Sequence, residues 1–263
     1  MLPKNPFATE QRVVTGIDWG ASGIKLVTLC LDEQGQVEVL RVTHHPFERP
    51  AAAGETPEGR AHLVAALRQA REAHGEPLGT VVIALPRERA TIRYLELPST
   101  VPEEVKEMLL FDVERHVPFP LDELQLDFTI VEQTQEGSSV VMLVATPLDE
   151  VEALVQLYSE AGIEVNVVDV DVLAACAAYL YDRQDTTPVR AILDIGREKT
   201  DLGVLVGGKV RFSRSFAVAG RRLEEWAREN PSERASVGAH PGWLSELSAD
   251  LNRQFRAYEC EPK

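Results

Sequence analysis

Long hydrophobic runs and cysteine frameworks are both missing from this 263-residue sequence. No apolar stretch approaches the length of a membrane-spanning helix, and the segment Met1–Gln11 lacks the apolar core of a signal peptide. The three cysteines, Cys30, Cys176 and Cys260, are scattered and form no Cys-x-x-Cys pair, which indicates neither a zinc site nor a disulfide framework. We therefore expect a protein of the reducing cytoplasm.

A basic excess is also missing. Lysine and arginine number 27 against 42 aspartates and glutamates, which gives a net charge of -15 and a pI near 4.9. Because a groove that follows nucleic acid needs a surplus of positive charge, nucleic acid is excluded as the main ligand. Any phosphate must instead be held locally, by backbone amides and a metal ion. The length and the 44% hydrophobic content suffice for a large core or two lobes.

What the sequence does contain is a repeated hairpin pattern. An apolar strand ends in Asp-x-Gly at Asp18 and again at Asp194, and a second apolar strand follows each time, at Ile24–Leu31 and Leu202–Val206. A turn of this kind directs backbone N–H groups into a common space that suits a phosphate, and the aspartate can hold a hydrated Mg²⁺. Two facing copies would form a nucleotide clamp, whereas one copy alone is more often a plain hairpin.

Each hairpin continues into a third strand, Val37–Val42 or Lys209–Phe216, so a three-stranded antiparallel meander occurs twice. Between the copies, the order helix-strand-strand-helix-strand predicts a small inserted α/β module. Its predicted elements are a helix capped by Ser99 or Thr100 and ending before Pro118, strands Leu126–Glu132 and Val140–Thr146, a helix from Asp149 to Ala161 closed by Gly162, and a strand Ile163–Val168.

A duplicated meander led by Asp-x-Gly is the layout of the actin, Hsp70 and sugar-kinase superfamily. This resemblance implies an α/β, ribonuclease H-like fold with duplicated lobes. We expect a first actin-like lobe formed by residues 12–85 and 164–188, an inserted module of residues 86–163, and a second lobe of residues 189–263 that is incomplete at its C-terminal end.

The inserted segment indicates which family of this superfamily the chain resembles. Glu114–Leu124, followed by Leu126–Phe128, resembles the helix-to-strand signature of the PilM family, the actin-like cytoplasmic proteins of type IV pilus assembly. Gly16–Val27 resembles the first phosphate motif of the same family, and Leu193–Thr200 resembles the second. The similarity extends over most of the chain, from about Val14 to Tyr258.

The resemblance implies ATP and Mg²⁺ as cofactors. The implied nucleotide ligands are Asp18, Gly20, Ser22, Gly23, Lys25, Asp194, Gly196 and Thr200, with Asp18 and Asp194 also organising the metal. Two departures matter: the chain ends before the glycine-rich adenosine motif, through shortening or natural variation, and the bulky Arg197-Glu198-Lys199 occupies the second turn. Nucleotide binding is therefore expected more than efficient hydrolysis. Glu114 is a candidate catalytic base by charge alone and is expected to be a solvated or structural helix residue instead.

The PilM resemblance also implies a function. We expect a scaffold, peripheral to the membrane through its partners, at the cytoplasmic face of the bacterial inner membrane. Its partner would be a PilN-like inner-membrane protein, whose short cytoplasmic N-terminus would lie in a groove with Val117–Leu121 as one wall. Two alternatives stay open: the cytoplasmic domain of a GspL-like type II secretion protein, and an active ATPase or sugar kinase.

Alternation along the strands gives expectations for single residues. Trp19 is expected to pack in the core, because it alternates with Asp18. Asp201 is expected to point away from the site, because it follows Thr200. For Lys25, a phosphate contact and a plain strand surface are equally favoured.

Overall fold

The computed structural model describes residues 12–32, 34–47, 56–182, 189–231, 240 and 242–260. The chain divides into two compact units, Met1–Asp171 and Val172–Lys263. The described residues form three separate sheets, of five, three and three strands. The lobe and module boundaries drawn from the sequence stay predictions.

The first unit begins with the predicted meander and continues through a crossover helix into the inserted segment. In chain order its elements are β1 (Arg12–Trp19), β2 (Gly23–Leu31), β3 (Val37–Pro46), α1 (Pro57–His74), β4 (Thr80–Leu85), β5 (Thr91–Leu97), α2 (Pro102–Asp112), β6 (Leu124–Gln133), β7 (Ser139–Pro147), α3 (Leu148–Glu160) and β8 (Val167–Val170). Short 3₁₀ turns occur at Arg87–Arg89, Val113–Arg115 and Leu121–Glu123.

The five-stranded sheet has the order β3-β2-β1-β4-β8. β1 pairs antiparallel with β2, whereas β4 runs parallel to β1 and β8 parallel to β4. Thr56 caps α1 by accepting a hydrogen bond from the Gly59 N–H at 3.1 Å, with Pro57 at the first helical position. The inward face of α1 carries Leu63, Leu67 and Ala70, which are buried in the core of this sheet.

The inserted segment forms its own antiparallel sheet, in the order β5-β7-β6. Val105 and Leu109 of α2 pack on Val141 and Leu143 of its central strand. The predicted cap of α2 is wrong. The N-cap is Val101, since Pro102 suits the first helical position, and the Ser99 hydroxyl instead accepts from the Val101 N–H and donates to Glu104.

The helix α3 ends at a glycine with a positive φ, as predicted. The strand that follows begins later than predicted. Gly162 has a φ of 77°, and the Ile163 N–H donates to the Tyr158 carbonyl, which closes the helix end. Ile163 is then buried rather than paired, and β8 begins only at Val167. The side chain and backbone N–H of Asn166 bond to Val81, which joins the connection to β4.

The second unit contains the second meander. Its elements are α4 (Asp171–Asp182, beginning at the last residue of the first unit), β9 (Val189–Ile195), β10 (Thr200–Val206), β11 (Lys209–Phe216), α5 (Arg221–Glu229) and α6 (Trp243–Cys260), with the sheet order β11-β10-β9. Leu202, Val204 and Phe212 form its buried cluster, and the ring of Tyr258 on α6 meets Phe212 edge-on at 5.7 Å. Among the described helices of both units, none is long and apolar enough to cross a membrane.

Candidate functional site

The turn of the first hairpin leaves amide donors available. The Gly20 N–H donates to the Gly23 carbonyl at 3.0 Å, and the Ser22 carbonyl accepts from the Phe47 N–H at 3.4 Å. Within the described part of the chain, the N–H groups of Ala21 and Ser22 donate to no backbone carbonyl. Two neighbouring amides of this kind are chemically suited to a phosphate oxygen, and the phosphate site itself stays a prediction.

The two glycines of this turn, Gly20 and Gly23, differ in how much space a side chain would have. A Cβ on Gly23 would overlap the exposed imidazole of His44 on the neighbouring strand and lie 3.1 Å from the His45 carbonyl oxygen, so a larger residue there would have to displace the histidine side chain. A Cβ on Gly20 would lie 3.7 Å from the Gly23 carbonyl oxygen, which is an ordinary contact. Gly23 therefore serves the fold of the hairpin whether or not it also approaches a phosphate.

Asp18 and Lys25 occupy opposing positions on β1 and β2 and form an ion pair. Lys25 Nζ lies 3.0 Å from Asp18 Oδ2, and both side chains are more than half exposed, at 58% and 55%. An exposed pair contributes little to stability, so neither group is fixed there by the fold. Burial raises the pKa of the Tyr158 phenol, and the negative charge of Asp18 raises it further. The site thus offers an accessible carboxylate next to an accessible ammonium group.

The neighbouring strand residue behaves as predicted. Trp19 is partly buried and packs against the core cluster that contains Ile17 and Ile24. Trp19 and Asp18 therefore lie on opposite faces of β1, and the aspartate is left on the face where a ligand can approach.

The second turn, between β9 and β10, is tied to the start of α5. The Gly196 carbonyl accepts from the Gly220 N–H at 2.8 Å, and the Arg197 carbonyl accepts from the Arg221 N–H at 2.9 Å. A Cβ on Gly196 would lie 3.0 Å from the Lys199 carbonyl oxygen, a tight contact that favours glycine at this position.

The bulky side chains of the second turn are held by carboxylates of the same unit. Arg197 Nε lies 3.1 Å from Glu224 Oε2, and Lys199 Nζ lies 3.0 Å from Asp201 Oδ2. These ion pairs draw the two cations toward α5 and β10. The departure from a small-residue turn therefore has a structural explanation within this unit.

The placement of Asp201 corrects a prediction. In the register of β9 and β10, Asp201 lies opposite Asp194 and Thr200 lies opposite Ile195. Paired residues of an antiparallel ladder share a face, so Asp201 shares the face of Asp194, and Thr200 is on the other face. Asp201 is buried and accepts a hydrogen bond from the Ser215 hydroxyl, while Asp194 is exposed.

Thr200 is fully buried, and its hydroxyl donates to the Val218 carbonyl at 2.5 Å. A phosphate contact from this hydroxyl would require it to leave that carbonyl. Asp18 and Asp194 belong to different compact units, so a metal ion shared between them stays a prediction.

Glu114 is structural, as the sequence predicts. Its Oε1 accepts a hydrogen bond from the Leu121 N–H at 3.1 Å and so ties the end of α2 to the residues before β6. Within the segment Val117–Leu121, Val117 is buried in the module core, whereas Phe119 and Leu121 are more than one third exposed. This segment is therefore an anchored turn that presents two apolar side chains.

One surface feature was not predicted from the sequence. An open concavity of about 390 Å³ lies where α3 ends, and its lining residues are Val155, Ser159, Gly162, Ile163, Glu164 and Val165. The sequence signal that could have suggested it is the helix-ending glycine, since a sharp exit from a helix leaves space beside the last turn.

Comparison with known proteins gives one family match and a range of structural ones. The family model described as type IV pilus assembly protein PilM matches residues 16–230. A solved structure described as the PilM-PilN type IV pilus biogenesis complex is 26% identical, with a TM-score of 0.74, and the match covers 95% of this chain and 79% of that chain.

Two other solved structures are more distant. The cytoplasmic domain of EpsL, an inner membrane component of the type II secretion system of Vibrio cholerae, is 13% identical, with a TM-score of 0.47 over 82% of this chain and 76% of that one. A protein with an actin-like ATPase fold from Bacteroides thetaiotaomicron is 12% identical, with a TM-score of 0.44 over 83% and 76%. The predicted α/β fold is confirmed by the likeness to the PilM-PilN structure.

Proposed function

Because the chain belongs to the PilM family, we propose that it acts as an actin-like scaffold of type IV pilus assembly at the cytoplasmic face of the bacterial inner membrane. The observation that carries the proposal is the likeness of almost the whole chain to the PilM-PilN complex. We propose a PilN-like inner-membrane protein as the partner, bound through its short cytoplasmic N-terminus. The type II secretion and kinase alternatives are not favoured over this function.

The segment Val117–Leu121 is the proposed contact for that tail. Val117 anchors it in the module core, and two prolines restrict its backbone, so Phe119 and Leu121 are presented at little entropic cost. An extended tail could bury these side chains while its own backbone forms hydrogen bonds. Such a site needs no nucleotide in order to exist.

The first prediction is that a labelled peptide with the sequence of the cognate tail binds this chain with micromolar or tighter affinity, with or without ATP. Replacing Phe119 and Leu121 together by alanine should weaken binding by about tenfold or more, because apolar contact area is removed. Fluorescence anisotropy measures the affinity. A matched control is Phe255→Ala on α6, since Phe255 is 36% exposed and Phe119 is 38% exposed.

Absence of saturable binding by the folded protein would overturn the proposed partner. An equal loss with the Phe255→Ala control would show that the peptide contacts apolar side chains without preference. Either result would direct attention back to an enzymatic function.

We further propose that the two hairpins hold ATP with Mg²⁺, mainly through the phosphates. The proposed ligands are the turn amides and side chains of Asp18, Gly20, Ser22, Gly23 and Lys25, together with Asp194 and Gly196. The amides of Ala21 and Ser22 and the exposed carboxylate of Asp18 fit such a ligand in chemistry, since anions bind N–H donors and Mg²⁺ prefers carboxylate oxygens. A bound Mg²⁺ would supply charge neutralisation for the phosphates. Binding rather than turnover is proposed.

The second prediction concerns Asp18→Asn, which keeps the shape of the side chain and removes its charge. In the presence of Mg²⁺, ATP affinity should fall by about tenfold or more, because the carboxylate no longer holds the ion. Without Mg²⁺ the variant should bind ATP at least as well as wild type, because the carboxylate then only repels the phosphates. Isothermal titration calorimetry with and without Mg²⁺ tests this, and Asp122→Asn, at an exposed position in the module, is the control.

An equal affinity of wild type with and without Mg²⁺ would contradict the assignment of Asp18. The same holds if Asp18→Asn and Asp122→Asn have identical effects. Neither outcome would bear on the binding of the PilN-like tail.

A further inference from the structure

The outer face of α2 carries apolar side chains that the fold leaves uncovered. Phe111 is 90% exposed, and its neighbour Leu110 is exposed as well. The helix already uses Val105 and Leu109 to pack on the module sheet, so these two residues are not needed for the core. A large aromatic side chain in this position is a feature of interaction surfaces rather than of plain solvent-facing helices.

Acidic residues share this face. Glu103, Glu107 and Phe111 follow one another at intervals of four residues, which places them in a line along the helix. Glu104 lies beside this line, and Lys106 is the only basic residue in α2. We define the acidic-apolar face as the set Glu103, Glu104, Glu107, Leu110 and Phe111.

The surroundings of this face have the same sign of charge. Residues 86–163 contain sixteen acidic and five basic side chains, a net charge of -11 within a whole-chain charge of -15. A field of this sign repels anionic lipid surfaces and nucleic acids, and it repels the same face of a second copy. It attracts a cationic partner, both by steering the encounter and by complementing the bound state.

We propose that the acidic-apolar face docks a basic amphipathic helix of a partner protein. The apolar side of that helix would cover Phe111 and Leu110, and its lysines or arginines would meet Glu103, Glu104 and Glu107. This is the helix-on-surface mode of recognition, with anchors spaced along one side of the bound helix. The proposal goes beyond the PilN-like tail, which is assigned to Val117–Leu121, and makes the inserted module a platform for a second protein.

The test uses a defined probe on the whole chain. The probe is a fluorescent 18-residue helical peptide with leucines on one side and lysines on the other, and a counterpart with glutamates in place of the lysines is the control peptide. We expect saturable binding of the lysine peptide. Phe111→Ser should weaken binding of the lysine peptide by about tenfold. The double variant Glu103→Gln with Glu107→Gln should weaken it by a similar factor, and this loss of affinity should be larger at low salt, where charges are screened less.

Matched variants make the result specific. Leu244→Ser removes an exposed leucine of α6 and should leave the affinity unchanged. Because Phe111 lies almost wholly in solvent, its replacement should leave the thermal unfolding midpoint unchanged, which shows that lost binding is not lost folding. The Phe119 and Leu121 double variant should bind the lysine peptide as wild type does.

Three results would overturn the proposal. The first is equal affinity of wild type and Phe111→Ser for the lysine peptide, and the second is equal binding of the glutamate peptide. The third is a different occupant: self-association in sedimentation velocity, or binding to phosphatidylglycerol vesicles, that is abolished by Phe111→Ser.

Discussion

An alanine at position 79 is expected to destabilise the first unit by about 3 kcal/mol or more. Gly79 has a φ of 65°, a conformation that alanine adopts only with strain, and an alanine Cβ would overlap the carbonyl group of Val13 on β1. The strain alone costs about 1–2 kcal/mol. The overlap involves backbone rather than a flexible side chain, so relief requires β1 and β4 to separate where Val14 pairs with Thr80.

A second glycine provides the control. Gly137, in the hairpin between β6 and β7, has a φ of 88°, but nothing lies within 4 Å of the position that its Cβ would take. Gly137→Ala should therefore cost about 1 kcal/mol, which is the strain without the overlap. Urea unfolding followed by far-ultraviolet circular dichroism measures both free energies. Equal losses for the two variants would show that the contact with Val13 is relieved easily.

Local patterns account for most of the strands and helices that the sequence predicts. β11 has the predicted bounds, and β2 begins one residue before the predicted Ile24 and ends at the predicted Leu31. These elements follow from the period of their apolar residues, which is a property of a few neighbouring positions. The two Asp-x-Gly turns are predictable for the same reason, since strand, turn and strand are adjacent in the chain.

The features that the sequence did not predict have two causes. Some depend on contacts with residues distant in the chain, and others depend on which of several neighbouring residues caps a helix. The face of Asp201 depends on the register between β9 and β10, and a shift of one residue exchanges the faces of Thr200 and Asp201. The start of β8 depends on how Asn166 meets Val81, 85 residues away in the sequence. Ser99, Thr100 and Val101 compete as the cap of α2, and the fit of Pro102 decides between them.

The features of the candidate site also divide into those that the sequence predicts and those that it does not. Its turns and the alternation of Trp19 with Asp18 are visible in the sequence. The pairing of Lys25 with Asp18 and of Arg197 with Glu224 is not, because an exposed cation can choose among several carboxylates of similar energy. Sequence patterns therefore predict where the site is better than they predict how its charges are paired.

The buried hydrogen-bond chain around His74 was also not predicted, and the ring nitrogen that donates in it can be deduced by counting protons. Each hydroxyl has one proton to donate. Thr15 donates to the Leu78 carbonyl at 2.5 Å, so in the 2.8 Å contact between Thr15 and Thr28 the donor is Thr28. Thr28 then accepts from His74 Nε2 at 2.7 Å, so this nitrogen carries a proton. The other ring nitrogen, Nδ1, lies 2.7 Å from the Thr43 hydroxyl. Burial lowers the pKa of His74 and so favours the neutral ring, in which Nδ1 accepts from Thr43.

This chain joins the last residue of α1 to three strands of the five-stranded sheet. His74 is only 2% exposed, and its own carbonyl accepts a hydrogen bond from Arg41 of β3. Removing the ring leaves two threonine hydroxyls without their partner and opens a cavity beneath the end of the helix. His74→Ala should therefore lower the free energy of unfolding by about 2–4 kcal/mol.

The same residue should make stability depend on pH. Burial lowers the pKa of His74 from its usual 6.5, and the positive charge of Arg41 lowers it further. The unfolded chain therefore binds a proton more readily than the folded chain does.

Above pH 6.5 this group is expected to have no effect on the free energy of unfolding. Below pH 6.5 the free energy of unfolding should fall as the pH decreases, by up to about 1.4 kcal/mol per pH unit, until the pKa of the folded state is reached. Urea unfolding of wild type and of His74→Ala should be measured between about pH 5 and 8, a range that spans the usual histidine pKa of 6.5. The difference between the two proteins in the slope of unfolding free energy against pH isolates the effect of this ring. Identical slopes would show that the ring is protonated as easily in the folded protein as in the unfolded chain, which would contradict the lowered pKa of His74.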